Sequence, residues 1–283
     1  VVGNASYLYN SLNAAANVGV TALTKLTVAG RWQFLRYDDD RLAEREDYDI
    51  YSAGLTLRNQ YRQNTVLLGE ARVEVTDYVD AKKRVPYTPE LPGSAVSGGN
   101  VIPDRGYTTY IAGLGVEQVF SPNLLGRATA GAMLKDFEAA NTDNETSPYV
   151  DASVTIAPSP STRLTLGGSY SLYQSSLLTF STQRRTALSA SLGHEVTPRL
   201  SVHIGGTYVN SDYKAKTAVD TVPERSVIEG SEDAVAVSTR AVYWVDQPRK
   251  NALEAGWTFS DLSSDLRDGY TRNRYDVAWR IQF

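Results

Sequence analysis

The chain ends in a nine-residue stretch that decides its fold, Tyr275-Asp276-Val277-Ala278-Trp279-Arg280-Ile281-Gln282-Phe283. Every second residue of this stretch is apolar or aromatic, and Asp276, Arg280 and Gln282 lie between them. A period of two is typical of a β-strand that has one apolar and one polar face. The apolar face runs through Phe283, the last residue of the chain. The stretch therefore predicts an amphipathic β-strand that remains apolar up to its final side chain.

This ending resembles the C-terminal signal of bacterial outer-membrane β-barrels, which the barrel-assembly machinery reads while it folds them. The resemblance implies that this machinery is a partner of the last strand and that the protein resides in the bacterial outer membrane. It also implies an assembly signal made of alternate side chains, namely Tyr275, Val277, Trp279, Ile281 and Phe283. A soluble β-sandwich is the alternative, because one of its strands could end in the same way.

The composition is compatible with a membrane barrel. No run among the 283 residues approaches the roughly 18 apolar residues that a membrane-spanning helix needs. The mean hydropathy is -0.32, and a barrel hides its apolar surface by alternation. The 18 Tyr and 4 Trp suit the two membrane–water interfaces, and the absence of Cys fits a chain that crosses an oxidising periplasm. The net charge of -4 argues against a nucleic-acid partner.

The body of the chain repeats one unit, in which a strand, a short turn, a second strand and a longer polar loop follow each other. The short turns are predicted at 22–25, 58–65, 121–124, 157–162, 196–199 and 245–250. The long loops are predicted near 38–47, 80–106, 138–148, 174–183, 213–232 and 261–271. This alternation is typical of an outer-membrane barrel, with tight periplasmic turns and long external loops. We expect the segment 80–106 to lie outside the cell.

Each predicted strand has one apolar and one polar face. In the strand around residue 30, Val28, Trp32 and Phe34 alternate with Arg31 and Gln33. Small residues are common on the apolar face, and lipid tolerates them better than a tightly packed sandwich core does. We expect the polar face to line a water-filled lumen, with the charged residues Arg31, Arg58, Glu70, Arg72, Glu74, Glu117, Arg127, Lys135, Arg240, Glu254, Asp276 and Arg280. In a sandwich the same face would be the exterior.

Thirteen strands can be counted, the first near 11–21 and the last at 272–283. Because single-chain bacterial barrels have an even number of strands, either Val1–Tyr9 is a short fourteenth strand, which we prefer, or the true first strand was lost with a leader. The alternative is one long strand over Ser6–Val20. Since all of these strands fit one barrel, we expect a single domain over residues 1–283. Its fold class is all-β, an antiparallel transmembrane β-barrel of about 14 strands (12–14) with short periplasmic turns and long external loops.

Two turns carry a further resemblance. Val119-Phe-Ser-Pro-Asn-Leu124 and Glu195-Val-Thr-Pro-Arg-Leu200 each lead into an alternating strand. Together with Phe283, they make the chain similar to the β-barrel porins found beside exopolysaccharide-secretion genes. The resemblance is generic and implies the fold more strongly than the function. It implies a porin-like conduit or an exit component for a secreted polymer. The polar face carries few aromatic residues, chiefly Tyr48, Tyr107 and Tyr173, which favours small polar or charged solutes over a sugar path.

An enzymatic function has little support in the sequence. Barrel hydrolases need a His to activate a Ser or a water, and His194 and His203 are the two His of the chain. We place His194 on the apolar face and His203 on the polar face, with Ser191 and Glu195 as its possible neighbours. No Cys or His pair has metal-ligand spacing. We expect no catalytic site, no metal and no cofactor.

Three function classes stay open at this point. The first is a conduit, for small solutes or for a polymer, and the second is a structural barrel that anchors partners. The third is the barrel hydrolase just described. In each case the expected partners are outer-membrane lipid and lipopolysaccharide, the barrel-assembly machinery, and either a secretion complex or other copies in an oligomer. The acidic loop 38–47 could hold divalent cations at the lipopolysaccharide surface, although a solvated loop is the simpler interpretation.

Residue counting from two short turns predicts two ion pairs on the polar face. A turn centred at position 122 sets Glu117 opposite Arg127, and a turn centred at position 247 sets Arg240 opposite Glu254. Opposed residues in an antiparallel pair have Cβ atoms about 4.5–5.5 Å apart. We expect these pairs to brace the wall and to present a mixed-charge constriction.

Overall fold

The computed structural model describes residues 6–39, 43, 47–79, 106–138, 144–175, 180–215, 229–246 and 249–281. These residues form thirteen β-strands: β1 (Tyr7–Gly19), β2 (Thr24–Tyr37), β3 (Tyr48–Arg62), β4 (Thr65–Tyr78), β5 (Tyr107–Ser121), β6 (Leu124–Phe137), β7 (Glu145–Ser159), β8 (Thr162–Gln174), β9 (Phe180–Thr197), β10 (Leu200–Ala215), β11 (Gly230–Trp244), β12 (Asn251–Ser264) and β13 (Tyr270–Ile281). Within the described ranges, no helix is long and apolar enough to cross a membrane.

The strands belong to one antiparallel sheet in which spatial order equals chain order, from β1 to β13. The first hairpin shows the regularity of the pairing, which runs from Tyr7 opposite Tyr37 to Gly19 opposite Lys25. Sequential antiparallel pairing is what short connections between neighbouring strands produce. The predicted all-β antiparallel fold class is confirmed.

Short and long connections alternate along the chain, as predicted. The short ones are 20–23, 63–64, 122–123, 160–161, 198–199 and 245–250, and the long ones are 38–47, 79–106, 138–144, 175–179, 216–229 and 265–269. Two predicted loops, 174–183 and 213–232, are shortened because pairs such as Tyr213 with Gln183 continue the sheet beyond the apolar part of the strands. Residues 80–105 of the segment predicted to be external lie outside the described residues.

The beginning of the chain differs from the preferred interpretation. Tyr7–Gly19 is one strand of 13 residues, so Tyr7 to Tyr9 belong to β1 and not to a separate strand. The described residues therefore contain thirteen strands, within the predicted range of 12–14 and one fewer than the preferred fourteen. The strands are also longer than the roughly 9–11 residues that cross a bilayer. They range from 12 residues in β13 to 18 residues in β9. The remainder extends the hairpins beyond the apolar band.

Burial in the sheet is inverted relative to a water-soluble protein. On β3, the apolar Tyr51, Leu55 and Leu57 are exposed, whereas Thr56 and Arg58 are half-buried. We call these two sides the apolar face and the polar face, and the same alternation recurs on β5 and β6. Exposed side chains this large and this numerous exclude water as the surroundings of the apolar face. The predicted assignment of the two faces is confirmed for these strands.

The chain divides into two compact units. Unit 1 comprises Val1–Arg58, Gly69–Ala112 and Ala132–Thr146, and unit 2 comprises Asn59–Leu68, Gly113–Gly131 and Ser147–Phe283. In unit 1 the polar face is filled with buried side chains, among them Thr76, Tyr107, Met133, Lys135 and Glu145. The polar face of unit 2 bears an open cavity. The expectation of a single domain over residues 1–283 stays a prediction.

Candidate functional site

The polar face of unit 2 carries a cavity of about 720 Å³ near the short connections of β8 to β13. Small polar-face residues leave this space open, including Thr165, Ser191, Ser201, Gly205 and Ser238. The charged or titratable residues that line it are Arg163, Glu195, His203, Arg240, Arg249, Asp276 and Arg280, together with His194. Its volume is in the range of small-molecule pockets, about 300–1,000 Å³. It is the candidate functional site.

One buried carboxylate organises two of these arginines. Glu254 is 6% exposed, and Arg280 contacts it through a terminal guanidinium nitrogen. Arg240 approaches the other carboxylate oxygen of Glu254 at 4.0 Å. A nearly dry carboxylate needs such cations, because an unpaired buried charge is costly. Glu254 therefore fixes the direction of both arginines along the wall of the cavity.

The predicted opposition of Arg240 and Glu254 is wrong. Arg240 lies opposite Gly256, and Glu254 lies opposite Val242. The reason is the geometry of the connection 245–250, where the N–H of Val245 donates to the carbonyl of Asn251 at 2.9 Å. The centre of the turn thus lies one residue later than assumed, and every opposed partner moves by two. The long guanidinium side chain nevertheless reaches diagonally to the carboxylate.

Arg249 connects two neighbouring short connections. Its guanidinium donates to Glu195 Oε1 at 3.2 Å and to the carbonyl of Pro198 at 2.9 Å. The backbone of Arg249 has φ 68°, in the left-handed region that side chains other than Gly seldom occupy. Such a conformation costs on the order of 1 kcal/mol and persists when its surroundings hold it. The two contacts made by the side chain supply this restraint.

Asp246 stabilises the same connection from outside the strands. Its carboxylate accepts from the backbone N–H and from the side-chain amide of Asn251, both at 2.8 Å. The backbone donor is the larger cause, followed by the amide, and together they hold the pKa of Asp246 below its ordinary value of 3.8. The ionised form is therefore the one that the folded turn favours.

The predicted pair Glu117–Arg127 is confirmed, with Arg127 Nη1 3.7 Å from Glu117 Oε1. In unit 1, Arg31 forms an ion pair with Glu74 at 2.9 Å. The sequence did not indicate this pair, because its members belong to strands that one further strand separates. The ammonium of Lys135 lies 4.2 Å from the ring centre of Tyr107.

The other predicted residues occupy varied surroundings. Arg58 and Glu70 are half-buried and Arg72 is exposed, while Asp276 and Arg280 line the cavity. Of the proposed assembly signal, Tyr275 and Val277 are 77% and 78% exposed, and Trp279 and Ile281 are also exposed. Phe283 lies outside the described residues. These positions leave the lumen-lining and assembly roles as proposals.

Sequence reasoning missed Arg163 and Arg249. Arg163 lies near the start of β8, just after the connection 160–161, and is on the same face of that strand as Thr165. Continuing the alternation of β8 back to its first residues would have found it. No pattern indicated Arg249, because its position depends on the conformation of a six-residue connection.

The two His side chains are not arranged as the base of a hydrolase site would be. Nδ1 of His194 lies 2.8 Å from the hydroxyl of Thr162. His203 lies opposite Gly193, with Glu195 and Ser191 on the neighbouring rows. In the part of the chain that the structure describes, His203 has no hydrogen bond to a Ser hydroxyl or a carboxylate. The described residues also contain no group of three or more His, Cys, Asp or Glu side chains that could hold a metal ion.

With the two faces and the cavity established, comparison with known proteins assigns the family. The family model described as "Putative beta-barrel porin 2" matches residues 9–283. The chain belongs to this family. No curated protein matches it significantly. Because the family is one of β-barrel porins and the apolar face of the sheet is exposed, the protein is an outer-membrane β-barrel protein of bacteria, and its apolar face contacts the membrane lipid.

Two solved structures of one transporter share the fold at low sequence identity, and a third structure matches over most of its length with a lower TM-score. The apoprotein form of the FrpB iron transporter from Neisseria meningitidis (F5-1 variant) has a TM-score of 0.56 and 11% identity, over 90% of this chain and 44% of that chain. The F3-3 variant of the same transporter has a TM-score of 0.52 and 10% identity, over 90% of this chain and 43% of that chain. The outer-membrane expressed OmpT of Vibrio cholerae has a TM-score of 0.39 and 11% identity, over 98% of this chain and 97% of that chain. The chain spans less than half the length of the two transporter structures.

Proposed function

We propose that this porin-family protein is a conduit for small polar or charged solutes, and that its cavity lies on the solute path. One observation carries the proposal: the cavity of about 720 Å³ opens on the polar face and is lined by charged side chains. Such a volume admits small solutes and their hydration water. Of the twelve charged residues predicted from the sequence, the six in unit 2 are proposed to line this path, namely Glu117, Arg127, Arg240, Glu254, Asp276 and Arg280. The six in unit 1 are proposed to line the polar face of that unit, namely Arg31, Arg58, Glu70, Arg72, Glu74 and Lys135.

The lining also bears on which solutes pass. Trp244 is the aromatic residue among the described residues that line the cavity, whereas a sugar or polymer path is expected to carry several aromatic surfaces for stacking. Polar groups and ionised arginines dominate instead. This composition favours small polar or charged solutes over a polymer, and we propose the polymer-exit role no further.

Catalysis is not part of the proposal. His194 is hydrogen-bonded to the hydroxyl of Thr162, and within the described ranges His203 makes no hydrogen bond to a Ser hydroxyl. For assembly, we propose that the exposed side chains of β13 are read by the barrel-assembly machinery and that lipopolysaccharide surrounds the ends of the strands with long connections. Both proposals derive from the resemblance of the last strand to assembly signals and from the exposed apolar face.

Single-channel recording of the purified protein in a planar lipid bilayer tests the conduit. We expect discrete conductance steps in potassium chloride. Ser191→Trp should lower the conductance of each step, because Ser191 lines the cavity. The matched control is Ala190→Trp, which adds the same ring to the exposed neighbour of Ser191 on the apolar face. Verified insertion without conductance steps would overturn the proposal and leave a structural barrel.

A further inference from the structure

In unit 2, each of the six strands β8 to β13 places one residue of the polar face directly opposite a residue of the next strand, and these residues form a continuous row. Arg163 of β8 lies opposite Gly193 of β9, and Gly193 lies opposite His203 of β10. His203 is paired in turn with Arg240 of β11. The row continues on β12 and β13 through Gly256 and Asp276. Since adjacent strands lie about 4.8 Å apart, three cationic or titratable side chains share a short stretch of wall.

A glycine makes room within this row for the imidazole. A Cβ atom added to Gly193 would lie 3.2 Å from Nδ1 and 3.5 Å from Cε1 of His203. The imidazole therefore lies over Gly193, on the side of Arg163. The imidazole of His203 thus leans towards the strand that carries Arg163, and both residues line the cavity.

The second glycine has the same effect at the other end of the row. A Cβ atom added to Gly256 would lie 2.5 Å from Oδ2 and 2.9 Å from Cγ of Asp276. The carboxylate of Asp276 thus occupies the space over Gly256, beyond Arg240. The row is therefore polarised, with its cationic end at Arg163 and its anionic end at Asp276.

Hydrogen-bond donors at the cationic end of this row are not all used within the described part of the chain. Within the described part of the chain, Arg163 and His203 have no hydrogen-bond or ion-pair partner. Arg240 is 4.0 Å from Glu254, and Arg280 approaches that carboxylate more closely. Four arginines line the cavity, Arg163, Arg240, Arg249 and Arg280, against three carboxylates, which are Glu195, Asp276 and the buried Glu254 that pairs with two of the arginines. The balance of charge is positive.

We propose that Arg163, His203 and Arg240 form a binding site for a small oxyanion, of the carboxylate, phosphate or sulfate class. A guanidinium presents its N–H donors as a planar fork that matches two oxygens of such an anion, which a spherical halide does not provide. The imidazole adds a donor between the two forks. The inference rests on the proposed function, because it names the solute class that the proposed path concentrates.

Isothermal titration of inorganic phosphate into the purified protein in non-ionic detergent measures the site without any conductance. We expect saturable binding that sodium chloride at equal ionic strength does not reproduce. Arg163→Gln should weaken phosphate binding about tenfold, the loss expected for one charge-assisted contact. Gly193→Ala should also weaken it, because the added methyl group would lie 3.2 Å from Nδ1 of His203 and the imidazole must shift away from Gly193.

The matched control is Arg199→Gln, which removes an arginine from the connection 198–199 of the same unit, outside the cavity lining. Phosphate binding should be unchanged in this variant. The site is refuted if the parent protein binds no phosphate, or if Arg163→Gln and Arg199→Gln bind it equally well. Phosphate binding without conductance would overturn the conduit and retain the site, whereas conductance without phosphate binding would overturn the site alone.

Discussion

Glu254 holds two arginines on one nearly dry carboxylate, so its replacement by Gln tests how the wall of the cavity is held. Two unit charges 4.0 Å apart, the separation between Arg240 and Glu254, interact by about 1 kcal/mol in bulk water and about 4 kcal/mol at an effective dielectric constant of 20. Both arginines are about half exposed, so solvent screens the interaction. We expect Glu254→Gln to lower the free energy of unfolding by about 1–3 kcal/mol.

The assay is urea unfolding in lipid vesicles, followed by the fluorescence of the 4 Trp. The matched control is Glu195→Gln, which neutralises the carboxylate that pairs with Arg249 at 3.2 Å. Both members of that pair are about half exposed, so the loss should be at most about 1 kcal/mol. Equal losses in the two variants, or a larger loss in the control, would refute the argument from burial.

A double-mutant cycle then assigns the loss to the contact with Arg280. Arg280→Gln alone leaves Glu254 without its nearer cation, and the combination with Glu254→Gln removes the unpaired charge again. We expect a coupling energy of about 1 kcal/mol or more, because residues in direct contact do not behave additively. Additive losses would mean that Glu254 acts through its packing and not through its charge.

Three further predictions concern other parts of the chain. Arg127→Glu should lower stability or alter ion selectivity, because Arg127 lies 3.7 Å from Glu117 in the parent protein. Adding Glu117→Arg should partly restore both properties. Single and double variants that match the parent in selectivity and melting would contradict the pairing. Asp246 has a lowered pKa through the donors of Asn251, so its contribution to stability is present above its ordinary pKa and is lost as the pH falls through the lower folded value. Unfolding measured as a function of pH should show this acid loss in the parent and a smaller one in Asp246→Asn; identical profiles would exclude the effect. Deletion of Phe283 should reduce insertion in cells, measured by heat-modifiable gel mobility, and unchanged mobility would contradict the assembly signal.

The alternation of the sequence was sufficient to predict the two faces of the sheet and the order of its connections. Leu55 and Thr56 point to opposite sides because the side chains of a strand alternate whatever the rest of the chain does. The ion pair Glu117–Arg127 also forms as counting from the short connection 122–123 led us to expect. Counting failed for Arg240 because the longer connection 245–250 has its own hydrogen bonds, which move the centre of the turn.

The sequence by itself determined which residues belong to each face, because that property is local to each strand. Only the tertiary structure decided which residues of different strands share one level. Between Leu200 and Ser201 the register shifts, and without this shift the pairing of Leu200 with Thr197 would place His203 opposite His194. With the shift, His203 lies opposite Gly193 and enters the row that contains Arg163 and Arg240. A bulge adds one residue to one strand only, so the site depends on how two strands pair and not on the pattern of either one.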